Sequence, residues 1–188
     1  MKTYLALLSA TILALSACSQ ETAQPAGHDS AASAPAEGGA SAASSPAPVA
    51  EKVDPASVPA ECSVVVETGD QMKYSTNEIK VKKSCEAFKV TLKHTGSMPS
   101  TSMGHNLVIS KADDASGIAS EGTGAGPDGG YLNPENPAIV AHTDLVGGGQ
   151  ESSVAFKTSR LDPNASYKFF CTFPAHFASM QGDVKLVD

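Results

Sequence analysis

The sequence predicts an all-β sandwich or barrel of about eight strands, formed by one domain spanning residues 61–188. Three observations predict it. Short runs in which apolar and polar residues alternate recur from Glu61 to the C-terminus. Clusters of Gly, Pro, Asn and Asp separate those runs, as turns between strands require. Only Lys111 to Tyr131 breaks the alternation. A domain of this length can bury a core of its own.

The elements follow in chain order. Ser63–Glu67 (SVVVE) and Glu78–Lys82 open the series. In Glu86–Lys93, Phe88, Val90 and Leu92 share one face, while Lys89, Thr91 and Lys93 share the other. His105–Ser110 is the fourth strand. The glycine-rich insertion after it (EGTGAGPDGG in its second half) is expected to hold one short helix, Asp113–Ala119, and then a loop. Ala138–His142, Ser152–Thr158, Ser166–Phe173 and Asp183–Val187 complete the set.

The N-terminus is a different material. Lys2 and an apolar run from Leu5 to Leu15, ending in small residues, have the layout of a secretory signal over residues 1–17. The run is too short to span a bilayer, which takes about 20 residues. Leu15-Ser16-Ala17-Cys18 resembles the lipobox of bacterial lipoproteins. That resemblance implies cleavage before Cys18, acylation of that cysteine (palmitate being one such chain), and a place in the outer membrane, since Ser19 rather than Asp follows. Residues 18–60 are rich in Ala, Ser and Pro and hold no aromatic side chain. Such a segment cannot bury enough surface to offset the entropy of ordering and reads as a disordered tether. As a random coil it spans on the order of 35 Å.

The cysteines divide accordingly. Cys18 goes to lipid, and export to an oxidising compartment makes a disulfide expected. Cys62 and Cys85, each next to a strand, are the natural pair, which leaves Cys171 free. The net charge of −7 and the lack of a basic stripe argue against nucleic acid as a partner.

Cys171 opens the stretch CTFPAHFASM, in which a thiol, an imidazole (His176) and a thioether (Met180) follow in close succession. Those side chains suit either an activated thiol beside a histidine or a soft metal site. Two histidines, one cysteine and a weak axial methionine form the blue-copper set. His28, His94, His105 and His142 are the candidates for the second histidine. His105 is the best of them, because Gly104 before it permits close backbone approach or an unusual dihedral angle.

Here the residues resemble a known family. Gly104-His105-Asn106, together with CTFPAH (Cys171–His176) and Met180, closely resembles the azurins, small blue-copper cupredoxins with a Greek-key sandwich. AECSVVVETGDQMKYSTNEIKVKKSC, MGHNLVIS, IVAHTDL and YKFFCTFPAHFASMQGDVKLV all look like azurin segments, and together they cover Ala60 to Asp188. With the lipobox and tether, the chain is similar to the lipid-modified azurins of Gram-negative bacteria.

The resemblance implies one type 1 copper held by His105, Cys171, His176 and Met180, with the Gly104 carbonyl as a weak axial neighbour. It implies that the backbone N–H groups of Asn106 and Phe173 bond the Cys171 sulfur, and that Cys62 pairs with Cys85. It implies an electron carrier rather than an enzyme, a monomeric domain, and c-type cytochromes or reductases for nitrite or peroxide as partners. A copper-buffering surface lipoprotein without electron transfer is the alternative. His176 is expected to reach solvent through an apolar docking patch around Met72, Met98, Met103, Phe173, Pro174 and Ala175. His94 matches a histidine near the metal that does not bind it. Azurins carry a buried tryptophan two residues after the first histidine ligand. Leu107 stands there in this chain, which has no tryptophan.

Overall fold

The computed structural model describes residues 53–188. The predicted signal (1–17), Cys18, His28 and most of the predicted tether lie outside the described residues. Eight strands are present: β1 (Ser63–Thr68), β2 (Glu78–Lys82), β3 (Ala87–His94), β4 (Val108–Lys111), β5 (Ile139–His142), β6 (Glu151–Lys157), β7 (Tyr167–Phe170) and β8 (Gln181–Val187). One sheet has the order β1-β3-β6 and the other β2-β8-β7-β4-β5. β1 runs parallel to β3, and β2 to β8. The other pairs are antiparallel. Among the described residues no helix is long and apolar enough to cross a membrane.

The alternation read from the sequence becomes the main core. Val66, Phe88, Val90, Leu92 and Phe156 from the first sheet meet Ile79, Val81, Ile109, Phe169 and Val184 from the second. Burying each such side chain stabilises the fold by about 1.5–3 kcal/mol. β4 and β7 depart from alternation for a physical reason. Ile109 and Phe169 face this core, while Val108 and Phe170 face a second cluster under a helix. Strands covered on both faces read as continuous apolar runs.

That helix, α2 (Ala115–Ala125), is longer than expected and begins two residues later than Asp113. The glycines that argued for an earlier end are tolerated because packing outweighs propensity. Ala115, Ile118, Ala119 and Gly122 are buried, and Ile118 shares a cluster with Val108, Leu132 and Phe170. At Gly122 a Cβ would lie 2.2 Å from the Tyr131 carbonyl oxygen, so only glycine admits that loop. A four-residue helix with no counterpart in the sequence expectation, α1 (Ser100–Met103), precedes His105.

Residues 53–60, grouped with the tether by composition, are part of the packed structure. Asp54 caps a 3-10 turn by accepting from the Ala56 N–H at 2.9 Å, and Val58 is buried in the main core. A second such turn ends at Cys62, which is bonded to Cys85 just before β3.

The topology also positions the site. β4 and β7 pair antiparallel, with Val108 opposite Phe170. The residues entering β4 therefore lie beside those leaving β7. This is how Asn106 and Thr172, 66 residues apart in sequence, come to share hydrogen bonds.

Candidate metal centre

His105 sits between α1 and β4, held in an isolated bridge to Val146 by His105 N to Val146 O at 3.0 Å and Val146 N to His105 O at 2.8 Å. Gly104 serves close approach alone. Its φ of −73° is ordinary, but a Cβ there would meet the Ser100 carbonyl oxygen at 2.4 Å. The His105 Nε2 lies 2.9 Å from the Gly69 carbonyl oxygen. A carbonyl only accepts, so Nε2 carries the proton and Nδ1 keeps its lone pair. That Nδ1 is buried with no hydrogen-bond partner. Burial, helped by the neighbouring His176 and His94 and opposed by the Gly69 bond, pushes the His105 pKa down to about 4. The ring is therefore neutral at physiological pH.

Cys171 follows β7 directly. It is a free thiol, fully buried, and its Sγ lies 3.7 Å from His176 Nδ1. Burial raises its pKa to about 11, and backbone N–H groups of Asn106 and Phe173 together with the Tyr74 hydroxyl offset part of that. A thiol so placed is no activated nucleophile. The next residues form a tight turn: His176 N bonds Phe173 O at 3.0 Å, and Met180 N bonds His176 O at 2.8 Å. Ala175, at φ 67°, takes a left-handed conformation that costs roughly 1–2 kcal/mol outside glycine. Met180 is fully buried, and its carbonyl accepts from Cys171 N at 3.1 Å.

One donor atom from each of His105, Cys171 and His176 falls within 4.8 Å of the others. Two imidazoles, a thiol and a buried thioether nearby are a soft donor set, and the orphaned Nδ1 of His105 needs a partner. The residues fit a copper ion.

Asn106 ties the two ligand segments together. Its amide donates to Thr172 Oγ1 at 2.7 Å and to the Gly130 carbonyl at 3.3 Å, and its Oδ1 accepts from Thr172 N at 2.9 Å. Its backbone carbonyl accepts from the Tyr74 hydroxyl at 2.5 Å. Tyr74 gives no sign of this role in sequence, where it is one aromatic residue in a polar loop. Leu107 is fully buried, with its N–H donating to Thr143 Oγ1 at 2.9 Å.

One expectation needs correction. His176 is only 3 % exposed, its ring 4.6 Å from that of Phe173 and 4.9 Å from that of His105, so it does not project into solvent. His94 is fully buried: it stacks on His105 at 5.1 Å, and its Nε2 and Nδ1 pair with Met103 O and Gly96 N. Both its nitrogens are thus taken, which keeps it from being a ligand. His142, half-buried at the end of β5, pairs with the Thr143 carbonyl and lies outside the cluster. Met72 and Met98 are exposed, Ala175 also, while Met103, Phe173 and Pro174 are half-buried. Asp70 joins the two methionine loops by accepting from Ser97 N and Met98 N.

Comparison with known proteins agrees with the geometry. The family described as copper binding proteins, plastocyanin/azurin family, matches residues 60–187. The chain belongs to that family. It is a cupredoxin of azurin type, with a His/Cys/His site compatible with one copper ion. An azurin of Pseudomonas chlororaphis is 48 % identical over 127 residues, covering 68 % of this chain and 99 % of the relative. Over all 188 residues of both chains, the outer membrane protein H.8 of Neisseria gonorrhoeae is also 48 % identical. A solved azurin, Az-iso2 of the methylotroph Methylomonas sp. strain J, superposes with a TM-score of 0.66 at 43 % identity, covering 69 % of this chain and all of that one.

Proposed function

We propose that this azurin-family protein carries single electrons between redox partners while anchored to the outer membrane. Copper bound by His105, Cys171, His176 and Met180 supplies the one-electron chemistry by cycling between Cu(I) and Cu(II). The observation that carries the reading is the buried donor cluster, with His105 Nδ1 left unpaired.

The protein's own residues do the rest. The Gly69 carbonyl fixes the His105 tautomer and ring. The N–H groups of Asn106 and Phe173 stabilise negative charge on sulfur. Leu107, Met180 and Cys171, all fully buried, keep water out. His105, Cys171, His176 and Met180 are at most 3 % exposed, which favours a carrier over an enzyme that must admit a substrate. Met72, Met98, Met103, Phe173, Pro174 and Ala175 would form the docking patch, with c-type cytochromes and nitrite or peroxide reductases as partners of the right kind. Small, weakly bound interfaces suit transient redox encounters. The Gly104 carbonyl would be a further, weak contact of the copper.

Anchoring rests on the lipobox at Cys18 and on full-length similarity to proteins named for the outer membrane. The domain plan is a signal over 1–17, a tether over 18–60, of which residues 53–60 are packed, and a monomeric copper domain over 61–188.

The deciding experiment is the visible spectrum of the copper-loaded, oxidised protein, with metal analysis. One intense thiolate-to-copper band is expected, and Cys171→Ser is expected to abolish it while leaving the fold intact. A colourless copper-loaded protein would overturn the reading. Fast electron self-exchange between oxidised and reduced forms is expected of a carrier, whereas a copper buffer would exchange slowly.

A further inference from the structure

Tyr74 lies 31 residues before His105 in the chain, in a loop with no ligand of its own. Its ring is 5 % exposed and packs on Phe169 at 5.3 Å between centroids. The sequence around it, QMKYSTN, is polar, so nothing but its own packing draws it inward. A buried phenol must place its hydroxyl proton, and this one donates to the Asn106 carbonyl at 2.5 Å. Among the described residues no other donor to that carbonyl is recorded.

Asn106 is also one of the two residues whose backbone N–H offsets the effect of burial on the Cys171 thiol. Its side chain is held by Thr172 on one side and Gly130 on the other. Its carbonyl is held by Tyr74 alone. The Asn106–Leu107 peptide is thus held at two points, by the Tyr74 phenol at its carbonyl and by Thr143 Oγ1 at the Leu107 N–H, and the phenol touches no imidazole ligand.

We propose that Tyr74 is a positioning residue for the metal thiolate: by anchoring the Asn106 carbonyl it keeps the Asn106 N–H on the Cys171 sulfur and so holds the reduction potential up. The sign follows from charge. The reduced site carries one more negative charge than the oxidised one. A donor aimed at the sulfur stabilises that extra charge, so loosening the donor disfavours reduction. It also makes the thiolate a better electron donor, which lowers the energy of its charge transfer to the metal. This inference rests on the copper assignment above.

The test uses the whole chain with copper bound. Tyr74→Phe keeps the ring and removes only the hydroxyl. The expected result is a lower reduction potential, a charge-transfer band at longer wavelength, and amide hydrogen exchange at Asn106 faster by about tenfold, the loss of one net hydrogen bond. Site-specific 3-fluorotyrosine at position 74, a more acidic and stronger donor, should move potential and band the opposite way. Should Tyr74→Phe fold poorly, the fluorinated protein still decides.

Both variants leaving potential and band unmoved would reduce Tyr74 to a structural hydrogen bond and overturn the proposal. A potential that rises in Tyr74→Phe would also overturn it, because the hydroxyl oxygen's own field would then be the larger effect. These failures are distinct from failure of the copper reading, in which the unmodified protein itself would show no intense visible band.

Discussion

Cys171 and His105 differ in the direction of their response to protons, though both answer to burial. The Cys171 thiol, pushed up to about 11, is protonated in the copper-free protein at neutral pH. A thiolate ligand must shed that proton, so loading with copper at pH 7 is expected to release about one proton per metal. Calorimetry in buffers of different ionisation enthalpy would measure it, and zero protons released would count against thiolate ligation. His105 sits at about 4 when folded, against an ordinary 6.5. Between those values the unfolded chain binds more protons than the folded one, so stability rises with pH across that window. Its contribution is complete above pH 6.5 and is lost as the pH falls towards 4. The His176 pKa is also lowered by burial and acts in the same direction. Thermal unfolding of the copper-free protein over pH 4–7 should show a falling midpoint on acidification. At this scale the candidate ligands were legible in the sequence because a Cys, a His and a Met in one decapeptide share one chemistry. Tyr74 and the tautomer of His105 were not, since both depend on carbonyls, at Asn106 and Gly69, that only the fold brings near.

Among the elements, β3 links the two ends of the domain. It begins just after Cys85 of the disulfide and ends at His94, which stacks on His105. Eight residues at about 3.3 Å each place those ends roughly 25 Å apart. Removing the disulfide by Cys62→Ala/Cys85→Ala is therefore expected to cost about 3 kcal/mol, from the freed loop of the unfolded chain, and to leave the visible band unchanged. Denaturant unfolding beside an absorption spectrum tests both halves. A band that moved would mean that strain travels the length of β3. All eight strands were readable as short apolar runs between turn signals, with ends shifted by a few residues. β4 and the β7 segment were read too long: His105 is held by an isolated bridge, and Cys171 already belongs to the ligand turn. The helix α2 was read too short, because Gly122 and Gly124 lower propensity while the contact of Ile118 with Val108 and Phe170 leaves no trace in local sequence.

At the scale of the whole molecule, the missing tryptophan decides which probes work. Leu107 fills the centre of the core, so unfolding must be followed by tyrosine emission or circular dichroism. The proposed anchoring gives a further prediction. A chain that lacks residues 19–45 but keeps the lipidated Cys18 should reduce a membrane-bound acceptor more slowly, while a soluble acceptor is reduced at an unchanged rate. Stopped-flow kinetics on vesicles with each acceptor would check it, and equal slowing of both would show that the shortened segment serves the domain itself. The reason lies in where the chain enters. Val53 and Val58 pack beside the disulfide at the start of β3, and the copper donors gather at its other end. In the proposed anchoring the leash would thus be made fast at the stern, with the donor cluster at the bow. Anchored in the proposed way, the domain would leave its donor end free for a partner.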